Sequence, residues 1–277
     1  MARMSDFDID SLNWSVGLVS AAGAGKSTMV ATFPGTKFVF DFDDKMAAYE
    51  GTDTYYHTFL DHGDQPRGHL MAKRLLDSAI SANGTIYMDE STGEFFNEMD
   101  WALSAHDDGV VPITPACWVI DSVTGMEKTS MTQGLADDTR SKSPADGPAK
   151  HHYSYAMTRT QQILDRFKSL PGSRIVTFHF EVLEIVKNEA VVDVRHYPLM
   201  VGKTRFRMQK EFGEWYHLFT EMEDGTAVHK MYTHRADHIN AHTTLGFDTV
   251  NKRHIFDDVE DPDFEHLIAK INSYKGR

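Results

Sequence analysis

The segment Ser20-Ala21-Ala22-Gly23-Ala24-Gly25-Lys26-Ser27-Thr28 constrains this chain more than any other stretch. It follows an apolar run over 14–19 that reads as a buried strand. It opens a stretch from Lys26 to about Thr32 that reads as a helix, stopped by Pro34-Gly35. A strand that turns through glycines into a helix points successive backbone N–H groups at one spot, in line with the positive end of the helix. The pattern for such a phosphate cradle is Gly-x-x-x-x-Gly-Lys-[Ser/Thr]. Its end is present as Gly25-Lys26-Ser27, while Ser20 stands where the first glycine is expected. Gly23 and Gly25 allow backbone conformations that a side chain would obstruct. Ala22, Gly23, Ala24, Gly25, Lys26, Ser27 and Thr28 are therefore expected to hold the phosphates of ATP. Lys26 would bring a point charge to the β- and γ-phosphates, and Ser27 would offer a hydroxyl to Mg2+.

A magnesium site needs carboxylates, and parallel α/β sheets place them at the carboxyl ends of strands. The most apolar strand signal, Cys117-Trp118-Val119-Ile120, ends in Asp121-Ser122. A continuous apolar run is what a central strand shows when both its faces are covered. Asp121 is the expected second ligand of the metal. The strand 37–42 runs into Asp43-Asp44, and Asp41 and Asp43 share a face of it. One of these two would polarise an attacking water, Asp43 being preferred and Asp41 second. His179 closes the strand 174–178, where an imidazole could sense a γ-phosphate.

The remaining pattern alternates strand and helix. A third strand is expected at 55–60, an amphipathic helix at 66–81 and a hairpin around Ser91-Thr92-Gly93. A helix is expected at about 123–133, then a polar loop at 134–150, then a helix at 153–170. Two hairpins follow, turning at Lys187-Asn188-Glu189 and at Glu223-Asp224-Gly225-Thr226. Asp261 and Pro262 read as the N-cap and first residue of a C-terminal helix. These signals predict one α/β domain over 14–277 behind an N-terminal extension of 1–13, with a mostly parallel central sheet flanked by helices, plus β-hairpins.

Taken in order, four stretches resemble the RecA-like P-loop ATPase core, and most closely the small phage-type RecA-superfamily proteins that include single-strand annealing recombinases. They are 18–28, 38–43, 118–122 with its following helix, and 175–181. A fifth runs from Leu199-Met200-Val201-Gly202-Lys203 to Phe212-Gly213-Glu214-Trp215. The resemblance implies ATP hydrolysis by protomers that self-associate into a filament or ring. It implies that 134–152 and 182–201 line a channel for single-stranded DNA. Arg140, Lys142, Lys150, His152, Tyr153 and Arg205 would then meet the nucleic acid, cations on phosphates and the tyrosine on a base. Lys203 would reach the γ-phosphate of a neighbouring protomer. A nucleotide-regulated helicase loader or assembly factor with slow hydrolysis is the alternative.

The net charge of −13 argues against a surface coated for duplex DNA. Every apolar run is broken before ~18 residues, so no membrane span is expected. The start of the chain lacks the apolar core of a secretory signal. The expected location is the cytoplasm, that of a bacterial host if the chain is phage-encoded. His234, His238 and His242 have helical spacing, but no Cys or acidic partner stands at zinc spacing, and a surface reading is preferred. Cys117 reads as a small buried side chain. Phe206, Phe212, Trp215, Tyr216 and Phe219 read as core.

Overall fold

The computed structural model describes residues 13–60, 67–95, 109–138, 148–187 and 190–274. In chain order the main elements are β1 (Ser15–Ser20), α1 (Lys26–Ala31), β2 (Lys37–Asp41), β3 (Thr54–Thr58), α2 (Gly68–Ser81), β4 (Ile86–Asp89) and β5 (Val110–Ile113). They continue with β6 (Cys117–Asp121), α3 (Val123–Asp137), α4 (Lys150–Phe167), β7 (Ser173–Lys187), β8 (Ala190–Pro198), β9 (Glu214–Glu223), β10 (Thr226–Tyr232) and α5 (Phe264–Tyr274). The chain divides into two compact units. The first comprises 1–34, 46–52 and 175–277, and the second 35–45 and 53–174.

In the first unit β1 runs parallel to β9, with Val16 opposite Glu214 and Val19 opposite His217. Val16, Leu18, Tyr216 and Leu218 are completely buried, as strands covered on both faces require. β10 folds back on β9 through a two-residue turn in which Asp224 and Gly225 both have positive φ. That pair is the chemistry a tight hairpin demands. α1 ends against α5 through the edge-to-face rings of Trp14, Phe33 and Phe264. There Thr32 Oγ1 accepts the Phe264 N–H at 2.9 Å.

In the second unit β2 lies between β3 and β6, parallel to both, and all five of its residues are buried. α2 buries Ala72, Leu75, Leu76 and Ala79, one face at helical spacing. The fold class is thus α/β with mostly parallel central strands flanked by helices, as expected from the sequence, and the antiparallel pairs are hairpins.

Several boundaries differ from expectation. The polar stretch from Gly134 was expected to be a loop, yet α3 continues to Asp137, where Gln133 Nε2 donates to Asp137 Oδ1 at 2.7 Å. β7 is one strand of 15 residues, half of it belonging to the hairpin with β8. β5 was not foreseen; it pairs with β4, and the expected turn at 91–93 survives only as a short return in which Met88 bridges Phe95. α5 is capped by Asp263 and not Asp261. The Asp263 Oδ1 atom accepts the N–H groups of Glu265 and His266 at 2.8 and 3.2 Å. His234, His238 and His242 share no helix, since His242 lies on a two-residue strand against β9. Among the described residues no helix is long and apolar enough to cross a membrane.

Candidate functional site

β1 delivers the cradle. Gly23 and Gly25 have φ of 78° and 85°, in the region that disfavours side chains, and Gly25 is the left-handed residue from which α1 begins. Gly25 is also crowded, because a Cβ built on it would stand 3.0 Å from the ring of His229 on β10. Ala22, Gly23 and Thr28 are exposed, Gly25 and Ser27 half-buried, and Ala24 buried.

Lys26 is only 7% exposed. Its ammonium donates to Ser20 Oγ at 2.8 Å and to the Ala21 and Ser20 carbonyls at 3.1 and 3.4 Å. Ser20, the departure from the glycine pattern, is thus the dock for the lysine. Its backbone has no positive φ, so glycine is not required there. Two further residues near this loop carry no local sequence signal. His217 lies beside the end of β1, buried, and its imidazole is pushed down to about 4 by burial, with further lowering from His196, His238 and Lys26. His229 is held by Thr220, Oγ1 to Nδ1 at 3.0 Å. Both belong to the β9–β10 hairpin, two hundred residues from the cradle, and only the parallel register of β1 with β9 brings them close.

The carboxylates belong to the second unit. Asp41 and Asp121 end adjacent strands in register. Asp41 is buried and its oxygens are engaged. Oδ1 accepts the N–H groups of Asp43 and Asp44 at 3.0 and 2.9 Å, and Oδ2 accepts the Thr58 hydroxyl at 2.8 Å. Burial raises its pKa, against those hydrogen bonds. Asp41 therefore shapes the turn that presents Asp43. The Asp43 carboxylate is half-buried and accepts the Ser122 hydroxyl at 3.0 Å. That hydroxyl also caps α3 by accepting the Gly125 N–H at 3.1 Å. Asp121 is 4% exposed, and its carbonyl accepts the Phe42 N–H. The Asp121–Ser122 peptide is cis. Ser27 in the first unit offers a hydroxyl and Asp121 in the second a carboxylate, hard oxygens of the type Mg2+ prefers.

The other expected site residues lie as follows. His179 is half-buried where β7 leaves the core, and its carbonyl accepts the Leu199 N–H at 2.7 Å. Lys203 is exposed in a short helical turn. Arg205 pairs with Glu181 of β7. Lys150 and Tyr153 are exposed at the start of α4. Arg140 and Lys142 lie outside the described residues. His152 is buried at 2% exposure, with Nδ1 accepting the Ala149 N–H at 2.9 Å and Nε2 3.0 Å from Asp138 Oδ2. Asp138, His151 and His152 bring three ligand atoms within 4.8 Å of one another. A backbone donor on Nδ1 leaves the ring proton on Nε2, however, and that nitrogen then has no lone pair for a metal. The trio ties the end of α3 to the start of α4.

No curated protein matches the chain. Among solved structures, an ATPase from the type III secretion system of pathogenic bacteria is similar at 12% identity with a TM-score of 0.36. The match covers 75% of this chain and 52% of that one, so the chain spans about half the length of that protein. A family model described as an AAA domain matches residues 12–245, most of the chain including both carboxylate strands and the glycine loop. The chain belongs to the AAA-domain family of P-loop ATPases.

Proposed function

We propose that this ATPase acts on single-stranded DNA in recombination or annealing, like the phage-type RecA-superfamily proteins its motifs resemble, with protomers self-associated in a filament or ring. Lys26 donates to oxygens of Ser20 and Ala21. Phosphate oxygens are stronger acceptors for an ammonium, so the lysine exchanges partners on binding ATP. Ser27 and Asp121 would hold Mg2+, which would supply charge neutralisation to the phosphates. Asp43, fixed by Ser122 and by the turn around Asp41, orients the attacking water. His179 senses the γ-phosphate and passes its state to the hairpin that starts at the next residue, Phe180. Lys203, exposed, supplies the cation to a neighbouring protomer's nucleotide.

The observation that carries the DNA reading is the β7–β8 hairpin. It continues directly from the strand that bears His179, and it exposes Val182, Ile185 and Val186 by 49, 38 and 56%. Apolar side chains left this open on a hairpin are unusual without a partner. Tyr153, 41% exposed one turn into α4 beside Lys150, supports the same reading, since an open ring can stack on a base. The test is phosphate release with and without oligo-dT. Stimulation that disappears in Lys26→Ala supports the proposal. Turnover indifferent to DNA favours the loader or assembly-factor reading, to which the net charge of −13 lends weight.

A further inference from the structure

The second unit contains a cavity that the phosphate cradle and the carboxylates do not use. Its volume is about 210 Å³. One wall is α2, where Arg67, Met71 and Arg74 follow one another at spacings of four and three and so share a face. The opposite wall is aromatic: His57 and Phe59 from the end of β3, and Phe95. The His57 ring lies 4.6 Å from Phe59 and 6.1 Å from Phe95. Phe59 is fixed from behind by stacking on Phe40 and Phe42 at 5.7 and 5.4 Å. The floor is therefore rigid and apolar.

The charge at the mouth is positive. Arg67 and Arg74 are exposed, and neither makes an ion pair among the described residues. The nearest acid on the helix, Asp77, is already taken by Lys73 at 2.7 Å and by Arg166. Burial lowers the pKa of His57 below its ordinary 6.5, against the opposing pull of Glu94. Two guanidiniums held over an aromatic floor, in a chain of net charge −13, form a receptor for an apolar anion. Guanidinium binds carboxylate through paired N–H donors, which a neutral group of the same shape cannot replace. The volume lies below the roughly 300 Å³ at which drug-sized sites begin, which suits one ring with a short acid arm.

We propose that this cavity binds a small aromatic carboxylate, its ring between Phe59, Phe95 and Met71 and its carboxylate on Arg67 and Arg74. The position gives the ligand something to act on. Thr58, between His57 and Phe59, donates to Asp41, and the Phe59 N–H donates to the Asp41 carbonyl at 2.7 Å. An occupant thus sits one residue from the turn that presents Asp43, which makes the cavity an effector site separate from the nucleotide.

Calorimetric titration of the full chain with 3-phenylpropionate tests this, with 3-phenylpropan-1-ol and 3-phenylpropylamine as probes of equal body and different charge. The acid should bind, and the alcohol and amine should bind at least about tenfold more weakly, the worth of a charge-assisted contact. The double variant Arg67→Ala/Arg74→Ala should lose the preference for the acid, and Met71→Glu should abolish binding. All three side chains are exposed, so an unchanged melting temperature separates lost binding from lost fold. Prior saturation with ATP should not abolish binding of the acid, and any shift in its affinity should equal the shift the acid causes in that of ATP. The proposal is overturned if acid and alcohol bind alike, if the double variant binds as the parent does, if ATP displaces the acid, or if no saturation is seen up to roughly 10 mM.

Discussion

Gly125→Ala sets two effects of known size against each other. Gly125 is the third residue of α3, and in a helix alanine is favoured over glycine by about 1 kcal/mol. The added methyl has no room. A Cβ there would lie 2.5 Å from the Phe42 carbonyl oxygen and 2.6 Å from Asp43 Oδ1, where ordinary contact begins near 3.4 Å. The carbonyl would have to retreat by 3.4 − 2.5 = 0.9 Å and the carboxylate by 3.4 − 2.6 = 0.8 Å. Overpacking of this kind costs about 1–3 kcal/mol, so the net change runs from neutral to a loss of about 2 kcal/mol. At about 2–4 °C per kcal/mol for a chain of this size, the melting temperature should fall by no more than about 8 °C. Activity should suffer far more. A shift near 1 Å in a group that positions a reactant costs on the order of a hundredfold. Nucleotide affinity, assigned in the proposed function to the loop at Ser20–Thr28, should be unchanged. Thermal unfolding, phosphate release and titration with a fluorescent nucleotide measure the three quantities. A variant that melts higher by the propensity gain alone and hydrolyses ATP at the parental rate would refute the placement of Asp43 against this helix.

Other substitutions probe the rest of the structure. In Gly17→Ala the new Cβ would stand 2.2 and 2.3 Å from the Trp215 ring and 3.2 Å from Phe212, in a core where Trp215 is 2% exposed. Urea unfolding should show a loss of about 1–3 kcal/mol or more, with no helix propensity to offset it. Ser20→Gly removes the hydroxyl dock of Lys26, so titration with fluorescent ADP should show equal or tighter binding; a loss above about tenfold would mean the hydroxyl itself is needed by the nucleotide. His69, buried with both ring nitrogens unpartnered among the described residues, is pushed down to about 4, chiefly by burial and then by Arg159. Its folded pKa is depressed below the ordinary 6.5, so its contribution is whole above pH 6.5 and is lost as pH falls toward 4, by up to about 3 kcal/mol. His69→Leu should leave stability at pH 7 unchanged or higher and flatten the acid limb of the denaturation midpoint; an equally steep limb would rule out His69 as its source.

The cradle was legible because it is local. Strand, glycines, lysine and helix follow within fifteen residues, and the backbone geometry each requires is written in its neighbours. The choice between Asp41 and Asp43 was not local. By alternation alone both share a strand face, but β2 ends at Asp41, and the return of β3, which brings Thr58 to Asp41, ties that carboxylate into the turn that carries Asp43. His217 and His229 were invisible for the same reason, since the pairing of β1 with β9 is a contact between distant segments that no window of sequence contains. The misplaced caps have a different cause. Asp261 and Asp263 are equally good N-cap residues by type, and the choice fell to the one whose carboxylate could reach the N–H groups of Glu265 and His266. Gly125 sits in the first turn of a helix, where glycine costs stability and alanine would serve better. A residue that weakens its own helix directly after the strand bearing Asp121 implies that something must pass close by, and what passes there is the backbone of Phe42 and the carboxylate of Asp43.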